Sequence, residues 1–235
     1  MIYLFDMDGT LTPPRLPMTD RFAKRMLPWL KEHRAFIVTG SDYKKITEQV
    51  PQDVVDSFEG IYCSMGNVLM KKGEVLYERT FVPPEGLIED LERFRQLTAY
   101  DGPLYDNYIE KRPGMINFSP LGRNCPYEAR IRYKAWDDKT KERMAIRDEL
   151  SKKYPMLEVS VGGSISIDIT PVGGGKGQVA RHIRQAYPEE EIHFFGDRTF
   201  FGGNDYELSQ ELAKLPNTRT IQIEGPDEVS EILKI

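Results

Sequence analysis

The chain has 235 residues, 40% of them apolar and 29% charged, and a formal net charge of −5. That length buries one good core with room for a second, smaller one. The acidic balance argues against nucleic-acid binding, while an anionic small molecule would need only a local basic pocket.

No apolar run approaches the ~20 residues of a membrane helix, and no charged leader precedes the first strand. Cys63 and Cys125 lie too far apart for a metal spacing and read as reduced thiols. A cytoplasmic protein without membrane or nucleic-acid partners is expected. "NFS" at Asn117 fits the glycosylation pattern, but without an export signal it is read as accidental.

In chain order, "IYLFD" is a short apolar strand of the kind parallel sheets bury. "TDRFAKRMLPWLKEH" predicts a helix capped by Thr19, with Phe22, Met26, Leu27 and Leu30 on one face and a kink or early end at Pro28. A second strand, "AFIVTG", a helix over about Asp42 to Val50 and a third strand, "GIYCSMG", follow. "VLMKKGEVLYER" then reads as a hairpin turning at Lys72-Gly73.

Such alternation implies a Rossmann-like parallel sheet with helices on its faces. Near "FVPPEG" the pattern changes. A helix at about 85–98, strands "GMINFSP" and "LEVSVGGSISIDIT", and one charged helix over roughly Asp137 to Lys153 suggest an α+β module on an antiparallel sheet. After "PVGGGKG" the strand–helix alternation returns. The expected organisation is an α/β core of residues 1–81 and 174–235 with an inserted cap of residues 82–173.

The stretch "FDMDGT" sets two aspartates at the carboxyl edge of that sheet, where ligands of open α/β sheets gather. Side chains two apart point the same way, so Asp6 and Asp8 are expected to converge on one point. Close carboxylates repel unless a cation or proton intervenes, and Mg²⁺ suits oxygen ligands shared with a phosphate. Gly9 frees the chain to turn, with backbone N–H groups left to face an anion. A DxD pair alone is more often a solvated turn.

The full "FDMDGTLT" resembles the signature of the haloacid dehalogenase-like phosphotransferases. That resemblance implies Asp6 as a nucleophile forming an aspartyl phosphate and Asp8 as general acid and base. It further implies Ser41 of "FIVTGSD" as the phosphoryl-holding hydroxyl and Lys176 of "GGGKGQ" as the lysine balancing transition-state charge. Asp197 of "FFGDRTFFGGND" would complete a Mg²⁺ site with Asp6 and the backbone carbonyl of Asp8, Asn204 and Asp205 lying behind.

Each residue has a plainer role: Ser41 as a helix cap, Lys176 as an exposed lysine, Asp197 as a turn residue. Their occurrence together in the family's order favours the site. "GGGKG" is not a P-loop, because Thr170 stands at the first glycine position and Gly177 where Ser or Thr should follow.

The cap segment "EKRPGMINFSPLGRNCPYEARIRY" carries Arg112, Arg123 and Arg130, whose guanidinium groups suit a second phosphate. With "DMDGTLTPPR" and "SVGGSISIDIT", this segment is similar to the eukaryotic-type phosphomannomutases from residue 2 to about residue 207. That similarity implies Arg112, Arg123, Arg130 and Ser166 around a distal phosphate, Asp168 on sugar hydroxyls, and Arg15 on ligand in the core. It implies interconversion of mannose 6-phosphate and mannose 1-phosphate, with glucose phosphates as further substrates and GDP-mannose synthesis as the destination. Mg²⁺, a hexose 1,6-bisphosphate activator and a homodimer joined through the cap come with it.

There are departures. "GGGKG" replaces a "GWDK"-like stretch and is closer to related sugar-phosphate phosphatases, which supply the alternative reading. "SMGNV" stands where the family more often has Asn-Gly, and "YELSQELAKLPNTRT" diverges after "GGND". A non-enzymatic phosphosugar binder is disfavoured by the intact Asp6, Asp8, Lys176 and Asp197.

Overall fold

The computed structural model describes residues 1–235, which divide into two units, Met1–Arg79 with Gly174–Ile235, and Thr80–Gly173. The chain runs β1 (Ile2–Phe5), α1 (Asp20–Glu32), β2 (Arg34–Val38), α2 (Tyr43–Gln49), α3 (Gln52–Val55), β3 (Gly60–Cys63), β4 (Val68–Lys71) and β5 (Glu74–Glu78). The second unit holds α4 (Leu87–Gln96), β6 (Ile109–Arg112), β7 (Met115–Phe118), α5 (Tyr127–Thr140), α6 (Glu142–Lys153), β8 (Leu157–Gly162) and β9 (Ser166–Pro171). The first unit resumes with α7 (Gln178–Ala186), β10 (Ile192–Gly196), α8 (Tyr206–Ala213), β11 (Thr218–Gln222) and α9 (Pro226–Leu233). No helix is long and apolar enough to cross a membrane.

The first unit is a seven-stranded sheet in the order β11-β10-β1-β2-β3-β4-β5. It is parallel from β11 to β3 and antiparallel at β4 and β5. Strand alternation sends Phe5, Ala35 and Ile37 to one face, packed with Phe22, Met26 and Trp29 of α1. Ile2, Leu4, Phe36 and Val38 point to the other face, packed with Val179 and Ile183 of α7 and Leu208 and Leu212 of α8. Both faces are covered, which is why these strands read as unbroken apolar runs.

Thr19 caps α1, its Oγ1 accepting from the Phe22 N–H at 3.3 Å. The helix does not end at Pro28 but continues to Glu32, with Pro28 on its exposed side. Lys72 and Gly73, with φ of 50° and 83°, make the left-handed two-residue turn that joins β4 to β5 as a hairpin.

The second unit is a four-stranded antiparallel sheet in the order β6-β7-β9-β8. Leu87, Leu91 and Phe94 of α4 and Ile146 and Leu150 of α6 pack on its Ile116, Phe118, Ile167 and Ile169. Two expectations are corrected here. The strand "IEKR" of β6 carries three consecutive charged residues rather than an apolar run, so only its partner β7 reads as a strand in the sequence. The single charged helix is two helices, α5 and α6, broken at Lys141, whose φ of 59° is left-handed.

Asp137 explains the break, because its Oδ1 accepts from the Arg143 N–H at 2.9 Å across it. Its Oδ2 takes the Arg143 Nε at 2.8 Å, and Arg143 Nη1 reaches the carbonyls of Gly162, Gly163 and Ser166 at 3.1–3.2 Å. Arg143 is only 2% exposed, so one buried guanidinium fixes both the α5–α6 junction and the β8–β9 turn. Removing one partner of a buried ion pair strands the other charge, at a cost of about 3–5 kcal/mol. Arg143→Ala is therefore expected to lower the free energy of unfolding by that order and the urea midpoint with it, as followed by far-UV circular dichroism; a midpoint unchanged from the parent would show that the pair is not a fastening.

Candidate active site

The connections of β1 and β10 leave in opposite directions, so their carboxyl ends border the topological switch point of the sheet. Register places Phe5 beside Phe195, and the Asp6 N–H donates to the Phe195 carbonyl at 2.9 Å. Asp6 and Asp197, each one residue past its strand, are thereby brought together. The carboxylates of Asp6, Asp197 and Asp205 all lie within 4.8 Å of one another.

Lys176 sits among them, 0% exposed, with Nζ donating to Asp6 Oδ1 at 2.5 Å and to Asp205 Oδ1 at 2.6 Å. Burial alone would drive this ammonium toward neutrality, but Asp205 and then Asp6 outweigh it and hold it above the ordinary lysine range. Asp6 is pushed well up, first by burial and then by Asp205, against the pull of Lys176. Asp197 is pushed up to about 7, again by burial and then by Asp205.

One ammonium among three carboxylates leaves an excess of negative charge. Asp197 Oδ1 is buried without a hydrogen-bond partner, a costly state for a polar atom. Gly9, at a φ of 92°, makes room for this carboxylate, since a Cβ there would fall 2.5 Å from Asp197 Oδ2. All-oxygen donors, unbalanced charge and an unpartnered buried oxygen fit a hard divalent cation such as Mg²⁺.

Asp8 departs from expectation: its carboxylate is not in this cluster. The strand stops at Phe5 and the N–H groups of Thr10, Leu11 and Thr12 close a turn on the Met7 carbonyl, so the two-residue alternation no longer applies. Asp8 Oδ1 instead accepts from the Arg15 N–H at 2.7 Å and Gln49 Nε2 at 3.2 Å. Arg15 itself sits at a left-handed φ of 65° with its side chain half-buried.

Ser41 is buried past the end of β2. It does not cap α2; Asp42 does, its Oδ1 accepting from the Lys45 N–H at 2.8 Å. The "SMG" departure leaves Met65 at a left-handed φ of 62°, where the Ser64 and Met65 N–H groups reach the Ser41 and Thr39 carbonyls at 2.9 Å each.

In the second unit, Glu110, Arg112, Asn117, Arg123, Arg130, Ser166 and Asp168 form one hydrogen-bonded cluster. Glu110 Oε2 accepts from Arg123 Nε at 2.8 Å and from Arg112 through both Nε, at 3.1 Å, and Nη2. Arg123 Nη1 donates to Asn117 Oδ1 at 2.6 Å and Ser166 Oγ at 3.1 Å. Arg130 Nη2 donates to the Arg123 carbonyl at 2.6 Å, and Asn117 Nδ2 to Asp168 Oδ1 at 2.5 Å.

Glu110 and Asn117 were not foreseen as part of this group, although β6 and β7 pair them directly. Asn117 is 3% exposed and engaged on both sides, so the glycosylation pattern has no accessible acceptor in the fold. Three more supports are residues to which the motifs assign no role. Asn67 Nδ2 and Gln178 Nε2 donate to the Gly174 carbonyl at 2.8 and 2.9 Å, fixing the loop that carries Lys176. Gln222 Nε2 donates to the Asp197 carbonyl at 2.5 Å, fixing the turn after β10. Buried amides on neighbouring elements leave no sequence spacing by which to find them.

Comparison with known proteins bears on this arrangement. The family description "Eukaryotic phosphomannomutase" matches residues 24–235. A phosphomannomutase of Dendrobium officinale is 35% identical over 242 residues, covering 100% of this chain and 93% of its own. That of Saccharomyces cerevisiae is 34% identical over 241 residues, covering 99% and 92%. Among solved structures, a haloacid dehalogenase-like hydrolase from Bacteroides thetaiotaomicron superposes with a TM-score of 0.63 at 15% identity over 99% of this chain and 98% of that one, a likeness of fold. With a Rossmann-like core, an antiparallel second unit and this extent of identity, the chain belongs to the eukaryotic phosphomannomutase family, whose enzymes are isomerases.

Proposed function

We propose that this enzyme interconverts mannose 6-phosphate and mannose 1-phosphate through an aspartyl phosphate at Asp6 and a hexose 1,6-bisphosphate. The observation that carries this reading is the buried bridge from Asp6 through Lys176 to Asp205. A carboxylate held by a fixed ammonium is presented to phosphorus in one orientation. The same ammonium offsets charge as the phosphoryl oxygens gather it.

In the first transfer, Asp6 bonds to phosphorus as the bond to the sugar oxygen breaks, and that oxygen takes its proton from Asp8. In the second, Asp8 removes the proton from the hydroxyl of the monophosphate as that oxygen bonds to phosphorus and Asp6 is released. Asp6, Asp197 and the Asp8 carbonyl would hold Mg²⁺, with Asp205 anchoring Lys176 beside them. Bound there, the ion supplies neutralisation of phosphoryl charge. Ser41, buried past β2, is assigned to the phosphoryl oxygens and Arg15 to the ligand.

The cap group suits the phosphate that is not reacting. Arg112, Arg123, Arg130 and Ser166 offer donors that recognise phosphate oxygens rather than a ring, so the bisphosphate can be held by either end. Asp168 has Oδ1 on Asn117 and its second oxygen for a sugar hydroxyl. Glucose phosphates would be accepted on the same grounds, and catalytic hexose 1,6-bisphosphate would prime Asp6. Exposed Tyr127 and Ile131, one turn apart on α5, support dimerisation through this unit.

A phosphatase is the second reading, favoured by Gly177. It stands in the "GGGKG" stretch, which is closer to the related sugar-phosphate phosphatases than to a "GWDK"-like stretch.

A ³¹P NMR time course of mannose 1-phosphate with Mg²⁺ and catalytic glucose 1,6-bisphosphate separates the two. Growth of the 6-phosphate resonance with little inorganic phosphate is expected; inorganic phosphate alone, indifferent to the bisphosphate, would establish the phosphatase. Asp6→Asn should abolish turnover while sparing phosphosugar binding by calorimetry, and turnover near the parental rate would remove the nucleophile assignment.

Mg²⁺ requires Asp197 ionised. With its carboxyl raised to about 7, protons compete below that pH and not above it. The half-saturating Mg²⁺ concentration should therefore rise by about fivefold from pH 7 to pH 6 and level off above pH 8. A flat profile across pH 6–8 would exclude Asp197 as a ligand.

A further inference from the structure

Gln49 closes α2, outside every motif that resembles the family's signatures, and is 6% exposed. Its amide faces the Asp8 loop from below. Nε2 lies 3.2 Å from Asp8 Oδ1, 3.1 Å from the Leu16 carbonyl and 3.5 Å from Thr12 Oγ1. A carboxylate and a carbonyl are acceptors only, so the group facing both must be the NH₂, and the amide orientation is fixed by chemistry. The helix end itself is tied to the loop that follows Asp8, since the Met18 N–H donates to the Gln49 carbonyl at 2.7 Å.

The consequence falls on one oxygen of Asp8. The Arg15 N–H and Gln49 Nε2 both converge on Oδ1. A carboxylate with two donors on one oxygen is locked against rotation, and its proton traffic is directed to the other oxygen. Arg15 supplies its donor from a left-handed backbone position, which the loop must hold open. Gln49 braces that loop through Leu16 and Thr12 as well as touching Asp8.

We propose that Gln49 is a positioning residue for proton transfer, aiming Asp8 Oδ2 at the sugar oxygen that leaves or attacks. The inference rests on the acid–base role of Asp8 in the preceding reading. It is indifferent to whether the acceptor is a sugar or water.

The test uses Gln49→Leu, which removes the donor, and Gln49→Glu, which keeps the shape but turns an acceptor toward Asp8 and the Leu16 carbonyl. Steady-state kinetics on mannose 1-phosphate are measured with Mg²⁺ titrations and far-UV circular dichroism of each variant. A loss of about 30-fold in kcat is expected for both, a fraction of the roughly 10²–10⁴-fold that acid–base catalysis supplies. KM and half-saturating Mg²⁺ should stay within about twofold, because neither distal phosphate nor metal touches Gln49.

A kcat within threefold of the parent would overturn the proposal. So would KM and Mg²⁺ requirement rising in step with the loss, or loss of native circular dichroism in both variants, since each makes Gln49 merely structural. Asp8→Asn is run alongside. If it retains turnover, the reading of Asp8 fails; if it loses turnover while both Gln49 variants keep theirs, only the present inference fails.

Discussion

The buried ammonium of Lys176 is the constraint around which the first unit is organised. A lysine with no exposed surface is tolerable only when paired and hydrogen-bonded, and here Asp6 and Asp205 meet both conditions. The pairing reaches across the chain, joining the turn after β1, the loop before α7 and the start of α8. Asp205 uses its second oxygen on the Arg198 N–H, 3.2 Å away, so the loop after β10 is drawn into the same network. Asp6 and Asp205 are thus each fixed by a partner that is itself fixed.

Such an arrangement follows from topology before it follows from chemistry. Parallel strands deliver their last residues to one edge, and the change of winding direction between β1 and β10 opens a crevice there. The acids past those two strands cannot avoid each other once the register is set. What the protein adds is a set of amides that suppress the remaining freedom: Asn67 and Gln178 on the Gly174 carbonyl, Gln222 on the Asp197 carbonyl, and Gln49 on Asp8. Phosphoryl transfer asks for positioning and electrostatic stabilisation more than for covalent invention, and these amides supply the positioning.

The parts of the molecule that were legible in the sequence are those where local pattern and burial agree. Apolar strands buried on both faces, the Thr19 cap and the Lys72-Gly73 turn each carry a signal within a few residues. Asp6, Lys176 and Asp197, which the fold brings together, stood out in the sequence only as parts of a family pattern, since nothing in composition brings distant positions together. Illegible parts share a different cause. Strand β6 is written in the charges of its site, and the α5–α6 break depends on Asp137 and Arg143 meeting in the interior. Asp8 was misplaced because alternation was extended one step beyond the strand that justifies it. Gln49, Gln178 and Gln222 lie on elements that the pattern treats as scaffold.

Charge in the second unit carries the last step. Glu110 accepts from both Arg112 and Arg123, so a carboxylate between the two arginines offsets their mutual repulsion. Under the proposed function, a phosphate arriving at this group meets guanidinium donors already held in place by Glu110, Asn117 and Ser166. It also meets the Glu110 carboxylate, whose repulsion sets a limit on how tightly a dianion can be gripped. A mutase gains from that limit. Its bisphosphate must let go of the cap, turn and be taken again by the other end, and binding strong enough to prevent release would trap the intermediate rather than stabilise the transition state. Under that reading, the carboxylate that orders the arginines also tempers their hold on a dianion, which a hydrolase releasing its product once per turnover would have less need to do.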